Sequence, residues 1–200
     1  GELNLKALQG ALDTIEERHQ ILRAGFRTDA GKLVLDMRES LGLDVTPVPL
    51  SHYGVDSLEA LKSVLRKEAA KPFDTAKGPL FGVRLIELEK NDYVLFLLIH
   101  HLVFDGWSFD ILLKELCSLY NAYAQGLPNP LPALPVQYPD YAIWQKSWLE
   151  SDAVKKQLDY WTQQLGGELP VLDLPLDKQR PDHQAHRAEG INFFFDEPLL

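Results

Sequence analysis

Residues 93–108 read YVLFLLIHHLVFDGWS. An uncharged apolar run, 93–99, meets two adjacent histidines, His100 and His101. A run with hydrophobic side chains for both faces of a pleat predicts a strand in the middle of a sheet. Consecutive side chains of an extended segment point to opposite faces, so one imidazole is expected to face a cavity and the other to pack. A single imidazole at a strand end suits general-base work, because its ordinary pKa of about 6.5 lies near cellular pH. Asp105 is placed to orient that base, or to bind an arginine and hold the loop. Gly106 permits a tight turn or a close approach of backbone. From spacing alone, a pair of satisfied core histidines beside a helix start is an equally good reading.

Other chemistries lack their residues. Zinc needs three or four converging ligands, and neither an H-E-x-x-H nor a CxxC pair occurs. There is no G-x-S-x-G elbow, Walker loop or GxGxxG. Ser108 is expected to cap the following helix. The stretch therefore offers a base without a protein nucleophile, which suits a reaction whose substrates bring both nucleophile and activated acyl group.

Working outward, Leu5, Leu8, Leu12, Ile15 and Leu22 recur at helical spacing, predicting a helix over 3–24 ended by Gly25. KLVLDM (32–37) and VTPVPL (45–50) read as strands, the second at an edge because of its prolines. Asp56 with Glu59 reads as a capping box for a helix carrying Leu58, Leu61, Val64, Leu65 and Ala69. A strand over 80–88 and a turn at Lys90, Asn91 and Asp92 lead into the apolar run. The helix after Ser108 should bury Phe109, Leu112, Leu113, Leu116, Leu119 and Tyr123 and close at Gly126. GLPNPLPALPVQYP (126–139) has five prolines and reads as an extended connector, with a proline-recognition ligand as the lesser alternative. Helices are expected over 138–150 and 152–165, the second ended by Gly166-Gly167, then a polar loop over 173–190 and a strand-like INFFFDEPLL. Helices interleaved with strands predict a layered α/β fold.

The 200 residues suffice for one generous domain or two small ones, and 46% hydrophobic content with four tryptophans is ample for a core. A net charge of −9 without a basic cluster argues against nucleic acid or an anionic membrane as partner. No apolar segment reaches transmembrane length. Cys117 is the single cysteine, read as a small helix residue rather than a reactive thiol, and a reducing cytoplasm is the simplest setting. The abrupt helical start and strand-like end read as a piece of something longer.

IHHLVFDGWS resembles the HHxxxDG motif of nonribosomal peptide synthetase condensation domains. ERHQILRAGF (17–26) resembles that family's RHExLRTxF motif, with Gln20 in place of Glu and Ala24-Gly25 altering the Thr position. YPDYAIW (138–144) resembles its YxDFAVW motif, and PFDTAKGPLFGVRLIEL (72–88) and DKQRP (177–181) are also similar to it. The segments follow the family's order along nearly the whole chain.

The resemblance implies a chloramphenicol acetyltransferase-like α/β lobe, a mixed sheet flanked by helices. Residues 1–200 would be the N-terminal lobe of a V-shaped, two-lobed domain, incomplete at both ends and lacking the second lobe. It implies that His101 faces a tunnel and is the key catalytic residue, with His100 packing away from it. It implies that Asp105 forms a structural ion pair with an arginine of the second motif, Arg18 first and Arg23 second. Gly106 would let the loop approach the tunnel, and Trp107 and Ser108 would line it, core packing being an equal reading for Trp107. The implied reaction joins a carrier-bound acyl or peptidyl thioester to a carrier-bound amine. The domain would bind no cofactor or metal of its own, phosphopantetheine being supplied by donor and acceptor carrier domains, with an adenylation domain and the second lobe on the parent chain. Arg180 and Arg187 are candidate carrier contacts, with solvated loop residues the plain alternative. A coenzyme A-dependent acyltransferase and a non-catalytic docking domain are the competing readings. DGWSFDILLKEL favours peptide formation over epimerisation, and WSF also fits a fatty acyl or polyketide donor.

Overall fold

The structure is a computed structural model that describes residues 1–170, 172, 174–176 and 183. The loop at 177–181, the 191–200 run, Arg180 and Arg187 lie outside the described residues. The chain divides into two compact units, Gly1–Ser151 and Asp152–Leu200.

The first helix, α1 (Leu5–Arg18), is capped by Asn4, whose side chain accepts from the Ala7 N–H at 3.0 Å. Its buried stripe runs through Leu8, Ala11, Leu12 and Ile15. It stops at Arg18, short of the expected 24, because the next positions on that stripe are the polar Arg18 and His19 rather than apolar residues. His19 leaves the helical region at φ −106° and ψ 86°, and Gln20–Arg23 forms a single 3₁₀ turn. Arg23 holds the reversal by donating from Nε to the Glu16 carbonyl and from Nη1 to the carbonyls of Arg38 and Glu39.

Gly25 therefore ends no helix. It lies in β1 (Ala24–Asp29), which pairs antiparallel with β2 (Lys32–Met37) through a two-residue turn. Ala30 and Gly31 both have positive φ, 46° and 76°, as a turn matched to strand twist requires. At Gly25 the 73–78 loop comes close: the Phe26 N–H donates to the Thr75 carbonyl at 2.7 Å, and a Cβ on Gly25 would sit 2.9 Å from the Ala76 carbonyl oxygen.

The second sheet has the order β3-β4-β5. Of the strand expected over 45–50, only β3 (Val48–Pro49) forms, parallel to β4 (Phe81–Glu89). In turn β4 pairs antiparallel with β5 (Asp92–Ile99), Phe81 opposite Ile99. The central position thus belongs to β4 and not to the apolar 93–99 run, which is an edge of the described sheet. The run is apolar because both its faces are covered, which is a different condition from having a strand on each side. Tyr93, Leu95, Leu97 and Ile99 pack toward a core shared with α1, whereas Val94 and Phe96 pack toward a smaller cluster around Leu61, Leu65 and Ile86.

That smaller cluster is closed by α2 (Leu58–Ala69), capped by the Ser57 hydroxyl rather than by Asp56, while Glu59 pairs with Lys62 at 2.6 Å. Arg84, on the same face of β4, pairs with Glu68 of α2. The opposite face is covered by α1 and α3 (Gly106–Ala124). Leu112, Leu116, Leu119 and Ala122 of α3 are buried. Phe109 and Leu113, expected in that face, are exposed, and Tyr123 is half-buried with its hydroxyl 2.8 Å from Thr14 Oγ1. Gly126, at φ 72°, closes α3: its N–H bonds the Tyr123 carbonyl, and that of Leu127 bonds the Ala122 carbonyl.

The proline-rich connector is irregular up to α4 (Tyr138–Leu149), whose start is held by a capping box between Gln137 and Asp140. In the second unit α5 (Asp152–Leu165) forms as expected. No helix among the described residues is long and apolar enough to cross a membrane.

Gly25→Ala should destabilise the fold by about 1–3 kcal/mol, the cost of pushing back a backbone carbonyl. Urea unfolding of the two proteins measures it, and unchanged stability would remove the close Ala76 carbonyl from the explanation.

Candidate active site

The strand β5 ends at Ile99, so both histidines lie in the turn that follows it. A turn, not pleat alternation, separates them. The His100 N–H donates to the Leu80 carbonyl at 2.8 Å, and the His100 carbonyl accepts from the Val103 N–H at 3.1 Å. The His100 ring is engaged as well. Nδ1 accepts from the Leu102 N–H at 3.0 Å, and the ring meets Phe73 edge to face at 5.2 Å. His101 is exposed, and its ring makes no hydrogen bond among the described residues. Among the described residues, His101 is the more open of the two imidazoles.

Asp105 is the N-cap of α3, the role expected of Ser108. Its Oδ1 accepts from the Ser108 N–H at 2.8 Å and from the Ser108 hydroxyl at 2.7 Å. These two hydrogen bonds, the hydroxyl's first, hold its carboxyl below the usual carboxylate range. The nearby His101 pulls in the same direction and desolvation opposes it. The turn thus brings His101, Asp105 and Ser108 together.

It does not bring Asp105 to either arginine. Arg18 Nε pairs with Glu115 Oε1 at 3.0 Å, and its Nη1 donates to the Pro132 carbonyl. Arg23 is spent on backbone carbonyls. The reason is distance along α3: Glu115 stands ten residues beyond Asp105, about 15 Å at 1.5 Å per residue, and Arg18 lies beside Glu115. Asp105 needs no guanidinium, being exposed and satisfied by the helix start.

Two further expectations change. Gly106 is the first residue of α3, with no positive φ, and a Cβ added there would meet open space; neither a tight turn nor close backbone among the described residues explains it. Trp107 is 82% exposed, so core packing is not its role.

Behind the turn lies a cavity of about 120 Å³. Val103 and Phe104 form its wall on the loop side, Ser108, Ile111 and Leu112 that of α3, and His19, Ile21 and Leu22 the third. His19 Nε2 donates to Glu115 Oε2 at 2.7 Å, so one carboxylate, only 12% exposed, holds Arg18 and His19 together. Gln137 extends the network: its Nε2 donates to the Arg18 carbonyl at 2.9 Å and its Oε1 accepts from the Gln20 N–H at 3.2 Å. Glu115, His19 and Gln137 were not singled out from the sequence. A signal existed, because Glu115 continues the buried stripe of Leu112, Leu116 and Leu119, and Arg18 and His19 continue that of α1. Opposite charges at positions that periodicity would bury mark a contact between the two helices.

The condensation-domain family model matches residues 1–200. The chain is 43% identical over 197 residues to malpibaldin synthetase of Mortierella alpina, covering 96% of this chain and 3% of that one. It is 37% identical over 200 residues to gramicidin S synthase 2 of Aneurinibacillus migulanus, covering all of this chain and 4% of that one. Among solved structures it resembles that of the complex of the X-domain and OxyB from teicoplanin biosynthesis. The TM-score is 0.77 at 28% identity, over 90% of this chain and 39% of that one. An α/β fold with a histidine turn at the end of its apolar strand is thus the class; the chain belongs to the condensation-domain family, with the chloramphenicol acetyltransferase-like fold of its structural neighbours. It spans a few per cent of the curated relatives and about two fifths of the matched structure.

The Asp105 cap has a pH signature. A folded-state pKa below the unfolded value adds stability that is complete above the unfolded value, near 4, and is lost as pH falls through the lower folded value. Asp105→Ala should therefore lose stability at neutral pH, and its deficit should shrink below about pH 4. Urea unfolding at about pH 7 and about pH 3 checks this; an equal deficit at both would remove the carboxylate from the explanation.

Proposed function

We propose that this chain is the N-terminal lobe of a domain that forms amide bonds between two carrier-bound substrates. The observation that carries the reading is the division of labour at 100–101: His100 is fixed by hydrogen bonds on its backbone and ring, while His101 stands exposed and unbonded beside it. The donor acyl or peptidyl group arrives as a thioester on one carrier's phosphopantetheine arm, and the amine on a second. Nitrogen attacks the carbonyl carbon, the C–S bond breaks, and the thiol leaves with one proton while the amide keeps the other. His101 hydrogen-bonds the amine, accepting its proton or aligning it for attack; alignment alone supplies much of the rate for a nucleophile already neutral. The second lobe and an adenylation domain lie on the parent chain, and the lobe alone is inactive. Membership of the condensation-domain family supports this reading.

A non-catalytic docking domain is the second reading, favoured by likeness to an X-domain solved with OxyB. The intact HHLVFDG turn argues for catalysis. Coenzyme A thioesters offered in place of acyl carriers separate the remaining acyltransferase alternative.

In the intact domain with carrier-bound donor and acceptor, His101→Ala should lower amide formation by about a hundredfold or more while the protein stays folded. His100→Ala should cost stability instead, because it removes the acceptor of the Leu102 N–H and the edge contact with Phe73. Single-turnover assays alongside thermal melts distinguish the two, and a soluble His101→Ala protein of normal rate would refute the assignment.

A further inference from the structure

We propose that Glu115 is a positioning residue for this site, holding the His19 side of the cavity against the catalytic turn; the inference rests on the amide-forming reading above. Three observations converge. The Glu115 carboxylate divides its oxygens, Oε1 to Arg18 Nε at 3.0 Å and Oε2 to His19 Nε2 at 2.7 Å. Arg18 and Glu115 side chains are only 11% and 12% exposed, so the contact is shielded from water, where such pairs are strongest and most directional. His19 then forms part of the cavity whose facing wall is Val103 and Phe104 of the histidine turn with Ser108 in the first turn of α3.

The backbone at His19 is where α1 breaks, and nothing helical dictates its place. A carboxylate accepting from Nε2 fixes both tautomer and ring orientation, as a second group does for a metal-bound or catalytic imidazole. Without it the ring is free to turn into the cavity or away from it. The cavity is apolar on most of its lining, so an imidazole turned inward would lie against Val103 and Phe104 and lose its carboxylate partner. Val103 is tied to the His100 carbonyl, and His101 lies between them in the chain. Helix α3 closes the circuit, starting at the Asp105 cap and carrying Glu115 on its buried stripe.

The test uses the intact domain and both carrier-bound substrates. Glu115→Gln, which keeps shape but presents an N–H to one of the two donors, should lower kcat about ten- to a hundredfold and leave KM for both substrates within about twofold, with a lowered thermal midpoint because the shielded Arg18 guanidinium loses its counter-charge. His19→Ala should match it, the double variant should be no worse than either single one, and His19→Gln, which restores an N–H donor, should recover most of the rate. A Glu115→Gln rate within about twofold of wild type, a loss confined to KM, or losses that multiply in the double variant would each overturn the proposal. Should Glu115→Gln fail to fold, His19→Ala against His19→Gln decides, and equal rates overturn it. A wild-type domain that makes no amide refutes the functional reading instead. In that case ¹⁵N spectra of the wild-type chain report whether His19 carries its proton on Nε2 in slow exchange; the Nδ1–H form or rapid exchange overturns the brace.

Discussion

Two helices laid on one face of a three-stranded sheet set every position that matters here. Leu12 and Ile15 of α1 and Leu112, Leu116 and Leu119 of α3 share one core with Phe81 and Leu85 of β4. Burying them makes α1 and α3 neighbours, and that contact determines where each helix end falls. The N-terminus of α3 meets the end of β5, so the connection between them is short and must turn sharply. The histidines lie in that turn, and its backbone bonds reach back to Leu80, just before β4. The histidine turn is therefore suspended between two elements of the same core.

Charges at the α1–α3 contact are the second layer of control. A shielded carboxylate with two donors adds little net stability compared with a hydrophobic pair, because desolvation offsets much of the attraction. What it adds is direction. Apolar side chains allow helices to slide by fractions of a turn, whereas Glu115 can satisfy Arg18 and His19 in only one register. Gln137 then ties the same corner to the start of α4, and the Pro132 carbonyl brings in the connector. Segments distant in sequence, 18–23, 100–108, 115 and 132–137, meet at one end of the α1–α3 pair.

The resemblance of three short motifs to one family acquires a physical meaning from this arrangement. The turn motif supplies the free imidazole and the helix cap. The motif around Arg18 supplies a contact to α3, not to the cap, since ten residues of helix separate Asp105 from the carboxylate Arg18 meets. The motif at 138–144 opens a helix whose cap, Gln137, braces the Arg18 corner. The three motifs cooperate through backbone and side-chain bonds, and only the first presents chemistry to solvent.

From residue order alone came the elements whose signals are local. The β2 span, α5, the Gly126 closure of α3 and the irregular proline connector follow from side-chain period, positive-φ demands and missing N–H groups, which a chain carries without its partners. Different surroundings for the two imidazoles were expected from pleat alternation, but a turn beyond β5 is what separates them, binding the His100 ring and leaving His101 exposed. Tertiary structure decided the rest. It ended α1 at Arg18, recruited Gly25 into a hairpin against the Ala76 carbonyl, put β4 in the centre of its sheet, and gave Asp105 to a helix cap and Arg18 to Glu115. Those outcomes depend on which distant groups arrive within about 3 Å, and hydrogen bonds, unlike hydrophobic period, exist only once both partners are in place.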